Sequence, residues 1–361
     1  MARHQNSIAT KALKGRAATS RESGRFERFT RADFSDGWDI AEDISVERTT
    51  VSDEVPRTAI NYVRSPDLPF DRSINVYRGC EHGCIYCFAR PTHAYLGLSP
   101  GLDFETRLIA RPGIAQVLER ELRARKYSVA TMAMGTNTDP YQPVEKDREI
   151  TRDVLKILQA FNHPVGIVTK GTLIERDIDL LSKMAAEGLV RVGISVTTLD
   201  PHLSRKMEPR APAPARRLET IRRLTRAGIP VRVMASPVVP ALTDPELEAI
   251  LEAAKDAGAD AASYIMLRLP LEVSPLWQDW LDTHYPNRAT RVMGLLRDMH
   301  GGKDYEAAWG KRMRGEGSYA DLIAQRFALA TKRLGLAVKT PPLRTDLFRP
   351  PPRAGDQLSL F

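Results

Sequence analysis

Apolar and polar positions alternate along this chain with two different periods. Short runs of apolar, β-branched or small residues at 73–77, 129–134, 165–169, 190–196, 231–235 and 261–267 predict strands. Between them, 113–125, 147–161, 174–187, 215–227 and 245–257 predict helices. Ile150, Val154, Leu155, Leu158 and Phe161 share one helical face, and Leu218, Ile221 and Leu224 make a second stripe. Gly188, Gly228 and Gly258 each stop a helix just before a strand, where a residue free to adopt positive φ is wanted. Six strand–helix units in this order imply a parallel sheet with right-handed crossovers.

The pattern changes at both ends. Past residue 270, Trp277, Trp280 and Leu281 predict a short helix. Residues 319–334 predict a longer one, with Leu322, Ile323, Phe327 and Ala330 on its face. Residues 339–361 are proline-rich and read as a semi-rigid spacer. Residues 1–55 lack a clear hydrophobic period and read as a basic arm without structure. The first 30 residues carry five Arg and two Lys against two Glu, +5 of the chain's net +8. Such an arm is a solvated tail or a contact to a phosphate backbone, and it also has the Arg- and Ser-rich look of a transit peptide. No apolar run reaches membrane-span length, which points to the cytoplasm.

The chain has three cysteines, all in Tyr77-Arg-Gly-Cys80-Glu-His-Gly-Cys84-Ile-Tyr-Cys87. With no other thiol in 361 residues, a disulfide framework is excluded and a reducing compartment is indicated. Three thiolates in one loop are one short of the four that a cubane iron–sulfur cluster takes, which would leave one iron open. The alternative is structural zinc with His82 or His93 as fourth ligand, although zinc ligands usually come as two pairs far apart in sequence.

The Cys-x3-Cys-x2-Cys spacing, with aromatic Tyr86 before the last cysteine, resembles the radical S-adenosylmethionine (SAM) superfamily. That resemblance implies a partial (β/α)6 TIM barrel over residues 66–270 with chemistry at the C-terminal strand ends, followed by a helical extension over 271–338. It implies a 4Fe-4S cluster on Cys80, Cys84 and Cys87, whose open iron is chelated by SAM. The reduced cluster splits SAM to a 5′-deoxyadenosyl radical, so an electron donor such as a flavodoxin or ferredoxin is expected.

The strand ends supply candidate SAM contacts. After the second strand comes Met134-Gly-Thr-Asn-Thr-Asp-Pro-Tyr-Gln-Pro-Val-Glu145, where most relatives have a Gly-Gly-Glu-like stretch. Thr136, Asn137 and Asp139 stand in for it. Lys170, at the end of the third strand, would pair with the methionine carboxylate, because a lysine there needs an anionic partner. Ser195 offers a hydroxyl after the fourth strand, and the fifth, around Met234, lies where this family lays backbone against adenine. Arg205, Lys206 and Arg210 follow the fourth strand, whereas Arg216, Arg217, Arg222, Arg223 and Arg226 are assigned mostly to the outer face of a helix.

Within the superfamily, the spelling Tyr-Arg-Gly-Cys…Cys-Ile-Tyr-Cys-Phe-Ala-Arg-Pro, then Thr-Asp-Pro-Tyr-Gln-Pro-Val-Glu and Ile-Ser-Val-Thr-Thr-Leu-Asp, resembles the group labelled DNA-repair photolyases, related to spore photoproduct lyase. The resemblance implies a DNA lesion as substrate. This chain departs in having no cysteine outside the cluster to return hydrogen to the product, which leaves Tyr86, Tyr95, Tyr141 or Tyr264 as donors. His93 and Tyr95 are candidates to stack on a base. The last five residues, Gln357-Leu358-Ser359-Leu360-Phe361, resemble the pentapeptide by which bacterial repair proteins dock on the DNA sliding clamp. There Gln357 would hydrogen-bond at a pocket rim, while Leu360 and Phe361 fill apolar subsites. The competing readings are radical modification of RNA or protein, and a non-catalytic, metal-bound DNA- or clamp-associated protein.

Overall fold

The computed structural model describes residues 15–27 and 48–352. The rest of the arm and the terminal Gln357, Leu358, Leu360 and Phe361 lie outside the described residues. The barrel strands are β3 (Arg72–Ile74), β6 (Met132–Met134), β7 (Val165–Thr169), β8 (Val190–Ser195), β9 (Val231–Val238) and β10 (Ala261–Met266). They pair parallel in that order, and β2 (Ile60–Tyr62) adds an antiparallel edge beside β3. The sheet is the predicted six-strand parallel frame of a partial TIM barrel.

Helices α2 (Ile114–Leu122), α4 (Ile150–Ala160), α5 (Ile178–Ala186), α7 (Pro214–Arg226) and α8 (Leu247–Asp256) connect the strands and bury their apolar stripes around the sheet. In β7, Val165, Ile167 and Thr169 are buried while Gly166 and Val168 are half-exposed, the period-2 alternation of a strand with unlike faces. Gly135, just after β6, has φ +84°, and a Cβ there would lie 1.8 Å from the Val168 carbonyl oxygen. The tight approach of β6 to β7 therefore requires glycine.

Three features differ from the expectations. The run at 73–77 does not continue as one strand: Arg111 bonds the carbonyls of Asn75 and Val76, and β4 (Tyr77–Arg78) turns away. It joins a second sheet in which β5 (Arg107–Ala110) pairs with β4 and with β1 (Thr50–Asp53). The extension holds more helix than its pattern predicted: α9 (Val273–His284), α10 (Pro286–Met299) and α11 (Ser318–Leu334). Short helices α1 (Leu102–Thr106), α3 (Glu145–Arg148) and α6 (Pro201–Met207) also sit inside predicted loops.

The proline-rich stretch up to residue 352 is no free spacer. It straps the N-terminal ends of the barrel strands. Ala337 bridges to Ala261 of β10, Arg232 of β9 bonds the Val338 carbonyl, and Arg191 of β8 bonds the Pro341 carbonyl. The Arg344 N–H then donates to Gly188 and the Arg349 N–H to Phe161. Phe348 closes an aromatic cluster with Tyr127, Phe161 and His163, its ring centroid 5.6 Å from Tyr127. After the single β-bridge at Ala337, side-chain anchors and backbone donors next to the prolines hold the strap.

Phe348→Ala should lower stability by about 2 kcal/mol, less than a fully buried Phe→Ala because the ring is half-buried. Urea unfolding of the variant against the parent measures this. An unchanged midpoint would mean that the strap contributes nothing to the fold.

Candidate active site

The cysteine loop begins after β4 and is held by one buried arginine. Arg90 Nε donates to the Cys84 carbonyl at 2.9 Å, Nη1 to Pro100 and Gly101, and Nη2 to Gly83 and to Glu105 Oε1 at 2.6 Å. All five guanidinium N–H groups are thus satisfied, four of them by loop backbone. Arg90 and Glu105 are both fully buried. Gly83 takes φ +64° against Glu105, where a Cβ would meet the carboxylate at 2.7 Å.

Glu105 also ties down part of the arm. The backbone N–H groups of Ala17 and Ala18 donate to its carboxylate, and Arg16 donates to its carbonyl. Residues 15–27 thus depart from the expectation of an arm without structure. Their backbone supplies partners to a buried carboxylate, which sequence periodicity does not register.

The three thiols form one electrostatic group. Burial pushes Cys80 well up, and the charges of Asp139, Cys84 and Cys87 add to it. Burial likewise raises Cys84 to about 12 against the favourable pull of Lys170, and it raises Cys87. Burial favours the protonated form of all three thiols, and a bound metal would replace those protons. Among the described residues, no three His, Cys, Asp or Glu side chains are placed to share a single metal ion. His82 Nδ1 faces Asp139 at 3.2 Å, and His93 Nε2 donates to the Arg107 carbonyl while its ring packs on Phe104. With both histidines engaged elsewhere, the loop offers three thiols, donors whose chemistry suits a soft metal group.

Around the thiols the strand ends converge as their order predicts. Lys170, after β7, lies 4.0 Å from Glu208 Oε1 and 5.7 Å from the Tyr86 ring centroid. Burial works against its charge, and Cys84 and Glu208 outweigh that, so its pKa lies above the ordinary lysine value. Ser195 is buried, with Oγ donating to the Ser236 carbonyl at 3.0 Å. Met234, half-buried on β9, packs over Gly193, where a Cβ would meet its sulfur at 2.8 Å. Thr136 and Asn137 are half-exposed in the β6 loop.

Asp139 has a different occupation from the one its motif suggested. One of its oxygens accepts from the Thr169 hydroxyl at 2.6 Å and the Tyr141 N–H, the other from the Lys170 N–H and His82. Burial works against its charge, yet these partners hold its pKa down to about 2. With both oxygens committed, Asp139 locks the β6 loop to the end of β7 and to the cysteine loop rather than presenting a free carboxylate to a ligand.

Glu208 and Arg217 are the residues the sequence reading missed. The fully buried Glu208 carboxylate accepts from the Tyr86 hydroxyl, from Thr197 Oγ1 at 2.8 Å and from Arg217. Arg217 also donates to the Ser195 carbonyl. Despite burial, Arg217 and Lys170 hold Glu208 down to about 2. The sequence pattern puts Arg217 on the outer helix face, but it is buried, whereas Arg216 and Arg223 pair outside with Glu175. A signal was available: Arg217 precedes Ile221 and Leu224 by four and seven positions, on the stripe that points inward. Nothing local marks Glu208.

The tyrosines separate cleanly. Tyr86 reaches Glu208 beside the thiols, Tyr141 is buried, Tyr95 is exposed, and Tyr264 packs on Phe327 of α11. Of the arginines and lysine after β8, Arg210 pairs with Glu81, Lys206 lies over Tyr285, and Arg205 is exposed.

The sequence profile of the Radical SAM superfamily matches residues 74–254. An uncharacterized protein of Mycobacterium tuberculosis is 38% identical over 244 residues, covering 67% of this chain and 72% of that protein. One from Methanocaldococcus jannaschii is 26% identical over 213 residues, 59% of this chain and 76% of its own length. Among solved structures, spore photoproduct lyase complexed with dinucleoside spore photoproduct superposes with a TM-score of 0.55 at 16% identity, over 80% of this chain and 81% of that one. At that identity the likeness concerns the fold.

Arg217→Met should destabilise the protein by about 3–5 kcal/mol, because it leaves the Glu208 charge buried without its main partner. Arg216→Met, on the solvent side, should cost less than about 1 kcal/mol. Since folding depresses the Glu208 pKa, its contribution is complete above the unfolded carboxylate value and is lost as pH falls toward about 2. Urea unfolding of parent and variants at neutral and acid pH checks both statements. Equal costs for the two variants would contradict the buried pair.

Proposed function

Since the chain belongs to the radical SAM superfamily, we propose that it is a DNA-directed member whose substrate is a damaged base, on the pattern of spore photoproduct lyase. The family implies a 4Fe-4S cluster and SAM, and Cys80, Cys84 and Cys87 are the residues that would hold the cluster. Bound there, the reduced cluster and SAM supply a carbon radical able to take hydrogen from an unactivated position. The chain's own part is positional. Arg90 fixes the cysteine loop, the Glu208–Arg217 pair fixes Tyr86, and Lys170 places a partly buried cation beside Cys84. That cation suits a ligand carboxylate, which makes Lys170 the leading SAM contact, followed by Ser195, Thr136, Asn137 and Met234.

The observation that carries the reading is the coincidence of the cysteine loop with the Thr138-Asp139-Pro140-Tyr141-Gln142 loop. Gln142 accepts from the Glu81 N–H and donates to the Gly79 carbonyl, while Asp139 holds His82. These two stretches carry the spelling shared with the DNA-repair photolyase group, and here they form one bonded unit. With no cysteine outside the loop, Tyr86 is the tyrosine nearest the radical chemistry and the candidate to return hydrogen. The terminal pentapeptide, with Gln357, Leu358, Leu360 and Phe361, would recruit the enzyme to DNA through the sliding clamp.

Anaerobically reconstituted protein should bind about four irons per chain. With SAM and a reductant such as flavodoxin, it should form 5′-deoxyadenosine at a rate raised by UV-irradiated DNA and not by intact DNA. Cys84→Ala should lose both the iron absorbance and SAM cleavage. Stimulation by RNA or protein in place of damaged DNA would favour the competing modification reading, and a colourless zinc protein would end the radical one.

Removal of residues 357–361 should abolish binding to a bacterial sliding clamp and leave SAM cleavage unchanged. The full-length protein should bind the clamp with a dissociation constant on the order of micromolar by calorimetry. No heat of binding would refute the docking role.

A further inference from the structure

We infer that Arg25, Phe26, Phe88, Tyr95, Arg268 and Tyr305 form a docking surface for single-stranded DNA at the rim of the barrel. The choice of DNA rests on the function proposed above. Four stretches of chain meet here. Phe88 directly follows Cys87 and is exposed. Arg268 lies two residues beyond the end of β10, its guanidinium 4.8 Å from the Phe88 ring centroid and 5.9 Å from that of Tyr305. Beyond it, Glu272 pairs with Arg25 at 2.6 Å. Arg25 in turn stands over Phe26 and Tyr95, whose centroids are 4.9 Å apart. Tyr95 is 71% exposed and Phe26 57%.

Large exposed aromatic rings cost free energy in water unless something covers them. These rings are grouped on the same face as the cysteine loop, and guanidinium groups stand between them. Arg268 has no carboxylate partner among the described residues, and its Nε is buried without any hydrogen-bond partner. A cation kept beside aromatic faces and left without an anion matches a strand that brings both phosphates and flat bases. An extended peptide would instead need a free sheet edge, and at the rim end of β10 the Met266 N–H already donates to the Met313 carbonyl, while Ala337 bridges Ala261 at the far end. A duplex hides its base faces, so the rim favours unpaired or extruded bases.

Fluorescence anisotropy with the anaerobically reconstituted full-length protein tests this, using labelled oligothymidine, the same length of duplex, and oligouridine. Oligothymidine should bind more tightly than duplex, with affinity that falls as salt rises. Arg268→Ala and Tyr95→Ala should each weaken it by about tenfold at unchanged iron content. Leu329→Ala, on an exposed position of α11, should bind as the parent does. If the parent binds oligothymidine and both rim variants bind equally well, the rim assignment is overturned while DNA-dependent SAM cleavage still stands or falls by its own assay. Preference for oligouridine, or binding of no oligonucleotide, overturns the rim together with the choice of DNA.

Discussion

The buried Arg90–Glu105 pair is the constraint on which the active centre depends. Two opposite charges with no solvent access are costly unless every donor and acceptor is satisfied. Arg90 meets that condition by drawing in the carbonyls of Gly83, Cys84, Pro100 and Gly101, which fixes the path of the cysteine loop. Glu105 meets it by taking the backbone of Ala17 and Ala18, which fixes the N-terminal segment over the same loop. Three soft ligands on a glycine-containing loop would otherwise have many arrangements. This one pair leaves them few.

A second buried charge lies on the other side of the thiols. Glu208 gathers Lys170 and Thr197 from the ends of β7 and β8, Arg217 from helix α7 and Tyr86 from the loop itself. Around Cys84 these charges are arranged as a set, with Lys170 and Arg217 pulling its pKa down and Glu208 pushing it up. Asp139 plays the matching role between the β6 loop and β7. The parallel sheet supplies the geometry, because its strands all end on the same side and bring residues far apart in sequence within hydrogen-bond reach.

The opposite end of the barrel is closed by a strap whose prolines neither prevent its anchoring nor contribute donors to it. Arg191, Arg232 and Phe348 hold it across the bottoms of the strands. Residue 352 is therefore delivered beneath the barrel, where Arg123 bonds the Pro351 carbonyl, away from the rim formed by Phe88 and Arg268.

The sequence by itself determined the sheet. Its strands are short apolar runs between helical stripes, and that pattern is local, so β7 appears at its predicted bounds and β8, β9 and β10 within a few residues. It also marked the superfamily, because three cysteines in one loop and no others carry the spacing of the radical SAM signature. Only the tertiary structure decided which polar residues serve that chemistry. Asp139 read as a ligand contact and proved a lock, Arg217 read as surface and proved buried, and Glu208 gave no signal at all. The reason is physical: a buried charge is stabilised by partners brought from distant strands, and no local period records them. Residues 15–27 and the strap up to residue 352 are held the same way, by backbone groups and single side chains meeting across the fold.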